Sequence, residues 1–266
     1  MRSILSALLL TLACCGPALA QAMYSELPEA CRLGLEQEDP QQGLGLLLQC
    51  REDGDFDLLD GEQQDQVVTE IGFAFARLGR FEEALDEFDR LVYVQDSLGS
   101  GGTAHHDRGL VYRAAGYHDL ALADFSAAIM AAPTADDYLQ RGVTYEALGQ
   151  QELALPDYAT ALDLEPDNDR AGNCLAWIMA TSPNPELLDG EAALALAHQV
   201  VARTPNSTHV DTLAAALARA GHYAKAVQTQ ELALDMARQE GGQPDYLAEL
   251  QGRLDLYRQN QPFTDQ

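Results

Sequence analysis

The sequence predicts an all-α fold, a solenoid of helix–turn–helix repeats. Three observations carry this: internal repetition every 33 to 37 residues, a fixed order of small and aromatic residues in each copy, and prolines that close the copies. Aligning Gly72, Gly109 and Gly142 also aligns Phe75, Tyr112 and Tyr145, then Gly79, Gly116 and Gly149, then Ala84, Ala121 and Ala154. The register continues to Phe88, Phe125 and Tyr158, and the later two copies end at Pro133 and Pro166. The first spacing is four residues longer than the second because of the stretch 97–102. A small residue lets two helices of a pair approach closely, and the aromatics fill the space between adjacent pairs. The second glycine permits a tight turn, and proline ends the second helix.

Along the chain, residues 1–20 read as a cleaved export signal. Arg2 gives a positive start, Ile4 to Cys15 form an apolar stretch too short to span a bilayer, and Ala18-Leu19-Ala20 supplies an A-x-A cleavage pattern. A buried N-terminal helix is the competing reading, disfavoured because such a helix is not normally followed by Gly-Pro and a small-residue site. Cys14 and Cys15 raise lipid anchoring, but Thr11 stands where a lipobox carries Leu. Export places the protein in the periplasm or outside the cell, where cysteines oxidise. Residues 21–64 then form a helical hairpin broken at Asp39-Pro40, with Cys31 and Cys50 expected to bridge its two helices; two separate buried thiols are the alternative. The run Asp53-Gly54-Asp55-Phe56-Asp57 begins like a calcium loop, but Leu58 and Gln64 replace the required Gly and Glu, so it is expected to cap and link helices.

The spacing that follows resembles the tetratricopeptide repeat. Three full copies cover residues 65–168, and two divergent ones cover 169–241, retaining Ala176, Ala193 and Pro205, then Ala214, Leu217, Gly221, Tyr223, Ala226 and Ala233. The sequence Leu175-Ala176-Trp177, with Ala180-Thr181-Ser182-Pro183 and Asp211-Thr212-Leu213-Ala214, is similar to the closing part of bacterial exported proteins of this class. Residues 242–266 hold a capping helix, Tyr246 to Tyr257, and a tail; a solenoid needs its last apolar face covered. The resemblance implies a right-handed superhelical solenoid of helix-turn-helix repeats with an N-terminal hairpin and a C-terminal capping helix. It also implies a groove lined by the first helix of each pair.

By register the groove residues are Thr69, Phe73 and Arg77, then His106, Leu110 and Arg113, then Leu139, Val143 and Glu146. None of the three copies carries the Lys and Asn with which chaperone-docking members grip a terminal carboxylate. An apolar strip of Phe73, Leu110 and Val143, flanked by Arg77 and Arg113, suits a protein or peptide partner with apolar anchors. The competing expectation is that the protein's own N-terminal hairpin fills the strip. A third reading, an envelope enzyme or its accessory subunit, would need Cys174 or a histidine as reactive group.

Composition narrows the function classes. With 42 acidic residues against 16 basic ones, only Lys225 a lysine, the formal net charge is -26, a field that repels nucleic acid and anionic membranes. Charge is uneven, with 11 acids and 2 Arg in residues 21–64 but 3 acids and 2 Arg in residues 102–134. No later stretch is long enough to span a membrane. The scattered histidines show no metal-ligand spacing, and no phosphate loop, nucleophile elbow or CxxC appears, so neither a metal, a cofactor nor a catalytic residue is expected. Cys174 sits in an apolar run and reads as a small core residue. Arg108 and Arg141 precede repeat glycines, with Asp124 and Asp157 sixteen residues on, a spacing that predicts an ion pair within each repeat. Asn206-Ser207-Thr208 matches a glycosylation sequon and is read as a loop coincidence.

Overall fold

The structure, a computed structural model, describes residues 27–265. The export-signal reading of residues 1–20 lies outside them. Among the described residues there are thirteen α-helices, two short 3-10 turns and no strand, so the chain is all-α. It divides into two compact units, one running to Leu120 and the other from Ala121.

In the first unit, α1 (Glu29–Leu35) and α2 (Pro40–Glu52) form the N-terminal hairpin. The Asp39 carboxylate accepts from Gln42 N at 2.8 Å, and Pro40 opens α2, where a missing N–H costs nothing. Cys31 and Cys50 are joined as a disulfide across the pair, their Cα atoms 5.0 Å apart. A 3-10 turn at Asp55–Leu58 leads to α3 (Gly61–Arg77), which Asp60 starts through a reciprocal cap with Gln63. The acidic run 53–57 therefore closes one helix and leads to the next. α4 (Phe81–Leu98) and α5 (Gly102–Ala114) follow, and Leu44, Leu47, Val67, Ile71 and Phe88 fill the core. Arg51 of α2 reaches the buried Glu87 of α4 at 2.9 Å, tying the hairpin to the helix pair beside it.

α6 (His118–Ala131) straddles the boundary. The second unit continues with α7 (Ala135–Ala147), α8 (Gln151–Leu164), α9 (Asp169–Thr181), α10 (Gly190–Arg203), α11 (Ser207–Arg219), α12 (Tyr223–Gln239) and α13 (Pro244–Arg258). Thr134, Asn168, Asp189 and Asn206 cap α7, α9, α10 and α11 with their side chains. The sequon asparagine is thus a helix cap. The link after Ser182 contains the second 3-10 turn, Pro185–Leu187. Much of this core is alanine, including Ala176, Ala180, Ala193, Ala197, Ala214 and Ala218, and small side chains bring α9, α10 and α11 close together. Leu250, Leu254 and Tyr257 of α13 are buried, so this helix covers the end of the alanine-rich stack.

Gly72, Gly142 and Gly149 show why these positions take glycine. A Cβ on Gly72 would stand 2.6 Å from the Phe88 ring, and one on Gly142 would stand 2.7 Å from the Tyr158 ring. The ring that fills the close approach therefore comes from the second helix of the same pair, not from Phe75 or Tyr145. At the turn, Gly149 takes φ 70° and Gln150 N donates to Tyr145 O at 2.9 Å, which satisfies a carbonyl at the helix end. Arg141 makes two hydrogen bonds of 2.8 Å to Asp157, the pairing expected from the sixteen-residue spacing. Arg108 meets Asp89 at 2.7 Å. A pairing of Arg108 with Asp124 would join residues of different units and stays an expectation.

Candidate partner-binding face

The nine positions expected to line a groove divide between the units, six in the first and three in the second. In the first unit Phe73 is 8% exposed and packs edge-on against Phe88 with ring centroids 5.1 Å apart. Gly72 draws the Phe88 ring against α3, and Phe73 completes that contact, so it belongs to the core. Thr69, His106 and Arg113 are half-buried, and Leu110 packs against the core while keeping partial exposure. Arg77 is exposed and donates to the Glu38 carbonyl at 2.9 Å, in the turn of the hairpin. In the second unit Leu139 is 1% exposed and is likewise core. Val143 and Glu146 remain half-buried on α7. The expected strip loses its aromatic anchor, while Leu110 and Val143 keep some surface.

The N-terminal hairpin lies against α3, with Arg77 as its polar contact. A different segment occupies a first-helix face. After α13 the chain turns through Asn260, at φ 55°, and folds back across α9 and α11. Asp265 N donates to Thr181 O at 2.8 Å, and Trp177 Nε1 donates to the Asp265 carboxylate at 3.2 Å. Arg219 donates to Ala180 O at 2.6 Å, to Phe263 O at 2.8 Å and to Thr264 Oγ1 at 3.3 Å. The Phe263 ring lies 5.8 Å from the Trp177 ring, and the Arg253 guanidinium stands over both, 5.4 Å from Trp177 and 5.3 Å from Phe263. Arg253 is anchored by Asp211 at 3.0 Å, and Asp211 accepts from the buried Gln230 at 2.8 Å. The repeat register gave no sign of this strap. A phenylalanine after a helix-ending Gln-Asn-Gln-Pro run, together with a lone tryptophan on a first helix, is the signal that could have raised it.

A family model described as tetratricopeptide repeat matches residues 138–168, which hold most of α7, all of α8 and the four residues after it. Among solved structures, a tetratricopeptide repeat protein from Parabacteroides merdae superposes with a TM-score of 0.60 at 18% identity, covering 89% of this chain and 87% of its own. The chain folds as a tetratricopeptide-repeat protein. YrrB, described as a TPR protein with an unusual peptide-binding site, gives a TM-score of 0.55 at 20% identity over 77% of this chain and 96% of its own. A thermophilic TPR protein from Thermus thermophilus gives 0.50 at 19% identity over 73% and 99%. No curated protein matches the sequence.

Burial and neighbouring charge act on two groups of the second unit. Burial raises the pKa of Glu146, which accepts a hydrogen bond from Tyr158 and also feels the Asp265 carboxylate. Cys174 keeps partial exposure as a residue, yet burial of its thiol pushes the pKa up to about 12, far from the range of a reactive thiolate. Among the described residues no three His, Cys, Asp or Glu side chains converge as metal ligands, and no helix is long and apolar enough to cross a membrane. The most exposed large apolar side chains on helices, Met130 at 87% and Tyr93 at 79%, stand on the second helices α6 and α4. One stands in each unit, and the register singled out neither.

Proposed function

We propose that this protein is a non-enzymatic scaffold of the cell envelope that binds a segment of a partner protein on the faces of its first helices. The observation that carries this reading is the first-helix face of α9 and α11, which holds an extended polypeptide segment through backbone carbonyls, an indole and a guanidinium. The tetratricopeptide fold supports it, and so does the description of YrrB as having a peptide-binding site. The Cys31–Cys50 bridge supports an oxidising compartment, and with it the export signal read in residues 1–20. The raised pKa of Cys174 supports a role without nucleophilic chemistry.

The test is cross-linking co-purification of the native protein from an envelope extract, beside a Leu110→Glu, Val143→Glu double variant shown to fold by circular dichroism. Phe73 is spared because it is core. The reading expects a partner recovered with the native protein and lost with the variant; equal recovery by both would move binding to another surface.

A further inference from the structure

We propose that the shelf formed by Trp177, Arg219 and Arg253 is a binding site for an extended peptide carrying an aromatic residue followed, two positions on, by a carboxylate, and that Phe263-Thr264-Asp265 holds this site in cis. The proposal rests on the scaffold reading and names the chemistry of one site within it.

The shelf is held in place from behind. Arg253 is fixed by Asp211, itself gripped by Gln230, and Arg219 is fixed by the Ala180 carbonyl. These contacts belong to α9, α11, α12 and α13, so both guanidinium groups are held from outside the strap, and Arg253 stands 5.4 Å from the Trp177 ring. What the shelf reads divides in two. The bonds from Asp265 N to Thr181 O and from Arg219 to Phe263 O use only backbone atoms of the strap, as any extended chain could. The aromatic slot between Trp177 and Arg253 and the donor Trp177 Nε1 use side chains, and select an aromatic and an acidic residue.

The strap is a replaceable occupant. None of Gln261 to Asp265 is buried: Gln261 and Thr264 are exposed, and Pro262, Phe263 and Asp265 are half-buried. Its carboxylate also lies near enough to Glu146 to disfavour the ionised form of that residue, a like-charge contact that weakens its hold. Beside it opens a cavity of about 550 Å³ lined by Glu249, Gly252, Arg253 and Leu256 and by Phe263 and Asp265 of the strap itself. A longer segment bearing the same two side chains can place further residues there and gain contacts the strap lacks. Because the strap is tethered, its effective concentration is high, and an outside peptide binds only to the fraction of molecules whose shelf is open.

Trp177 is the only tryptophan in the chain, so its emission reports on the shelf directly. The experiment titrates a labelled peptide, Asn-Gln-Pro-Phe-Thr-Asp-Gln, into the full chain and into a Phe263→Ala, Asp265→Ala variant, read by anisotropy and by Trp177 emission. Asp265→Ala alone serves as the second variant should the double one lose its circular dichroism. The expected result is saturable binding to the variant, about tenfold weaker binding to the native chain, and loss of binding when Phe and Asp of the peptide are replaced by Ala. A folded variant that binds no peptide, equal binding to both proteins, or a native dimer formed by exchange of straps between copies would overturn the proposal. Failure here with intact partner capture sensitive to Leu110 and Val143 removes only this site, whereas peptide binding with no such capture removes the broader reading.

Discussion

At the scale of single residues, two titratable groups on first helices of the second unit, Glu146 and Cys174, have their pKa values raised by burial. Glu146 is raised mainly by burial, opposed by the hydrogen bond from Tyr158 and reinforced by the charge of Asp265. The folded chain therefore holds this proton more tightly than the unfolded chain does. Its contribution to stability is full below the ordinary carboxyl pKa and declines as pH rises to the folded value. Glu146→Gln keeps an acceptor for Tyr158 and removes the cost of ionisation, so its urea midpoint is expected to exceed that of the native protein at pH 7 and to match it at pH 4. Cys174 follows a parallel logic. With its thiol pushed up to about 12, labelling by a thiol reagent is expected to be slow at pH 8, to rise about tenfold per pH unit, and to become fast only on unfolding. Rapid labelling of the native protein near neutral pH would revive a reactive-cysteine role. The sequence showed Cys174 as an apolar neighbour of Trp177, but the phenol and carboxyl beside it come from α8 and α7, and only the fold brings them together.

At the scale of elements, two glycines in one repeat separate packing from backbone conformation. Gly142 has a helical backbone and a ring 2.7 Å from where a Cβ would stand, whereas Gly149 has open space and φ 70°. Gly142→Ala is expected to lower stability by about 1–3 kcal/mol through displacement of Tyr158. Gly149→Ala is expected to lower it by about 1–2 kcal/mol through the left-handed backbone, with Gly149→Asn recovering part of the loss. Chemical denaturation of the three variants checks both figures. These helix pairs were legible because small residue and turn glycine recur in register in three copies and a closing proline in two, and the Arg141–Asp157 pair follows from its spacing. Phe73 and Leu139 were misplaced for a physical reason. A register position says which side of a helix a residue occupies, but whether that side is open depends on the aromatic opposite, and Phe88 covers Phe73. The strap escaped the repeat register because it is a single irregular segment with no period, and its partners Trp177 and Arg219 are dozens of residues away.

At the scale of the whole molecule, a net charge of -26 and an all-α repeat architecture direct attention to surfaces. Two kinds of surface compete. The first helices offer Leu110 and Val143, each half-buried, and the shelf at Trp177; the second helices offer Met130 and Tyr93, almost fully exposed. The second set rests on exposure alone, and single apolar side chains left in water are ordinary on a protein surface. The strap favours the first, because a polypeptide already lies there. Site-specific photo-cross-linking in cells separates them most directly, with a photoreactive residue placed in turn at 110, 143, 93 and 130. The account predicts adducts with a partner from positions 110 and 143 and none from 93 and 130; adducts confined to 93 and 130 would contradict it.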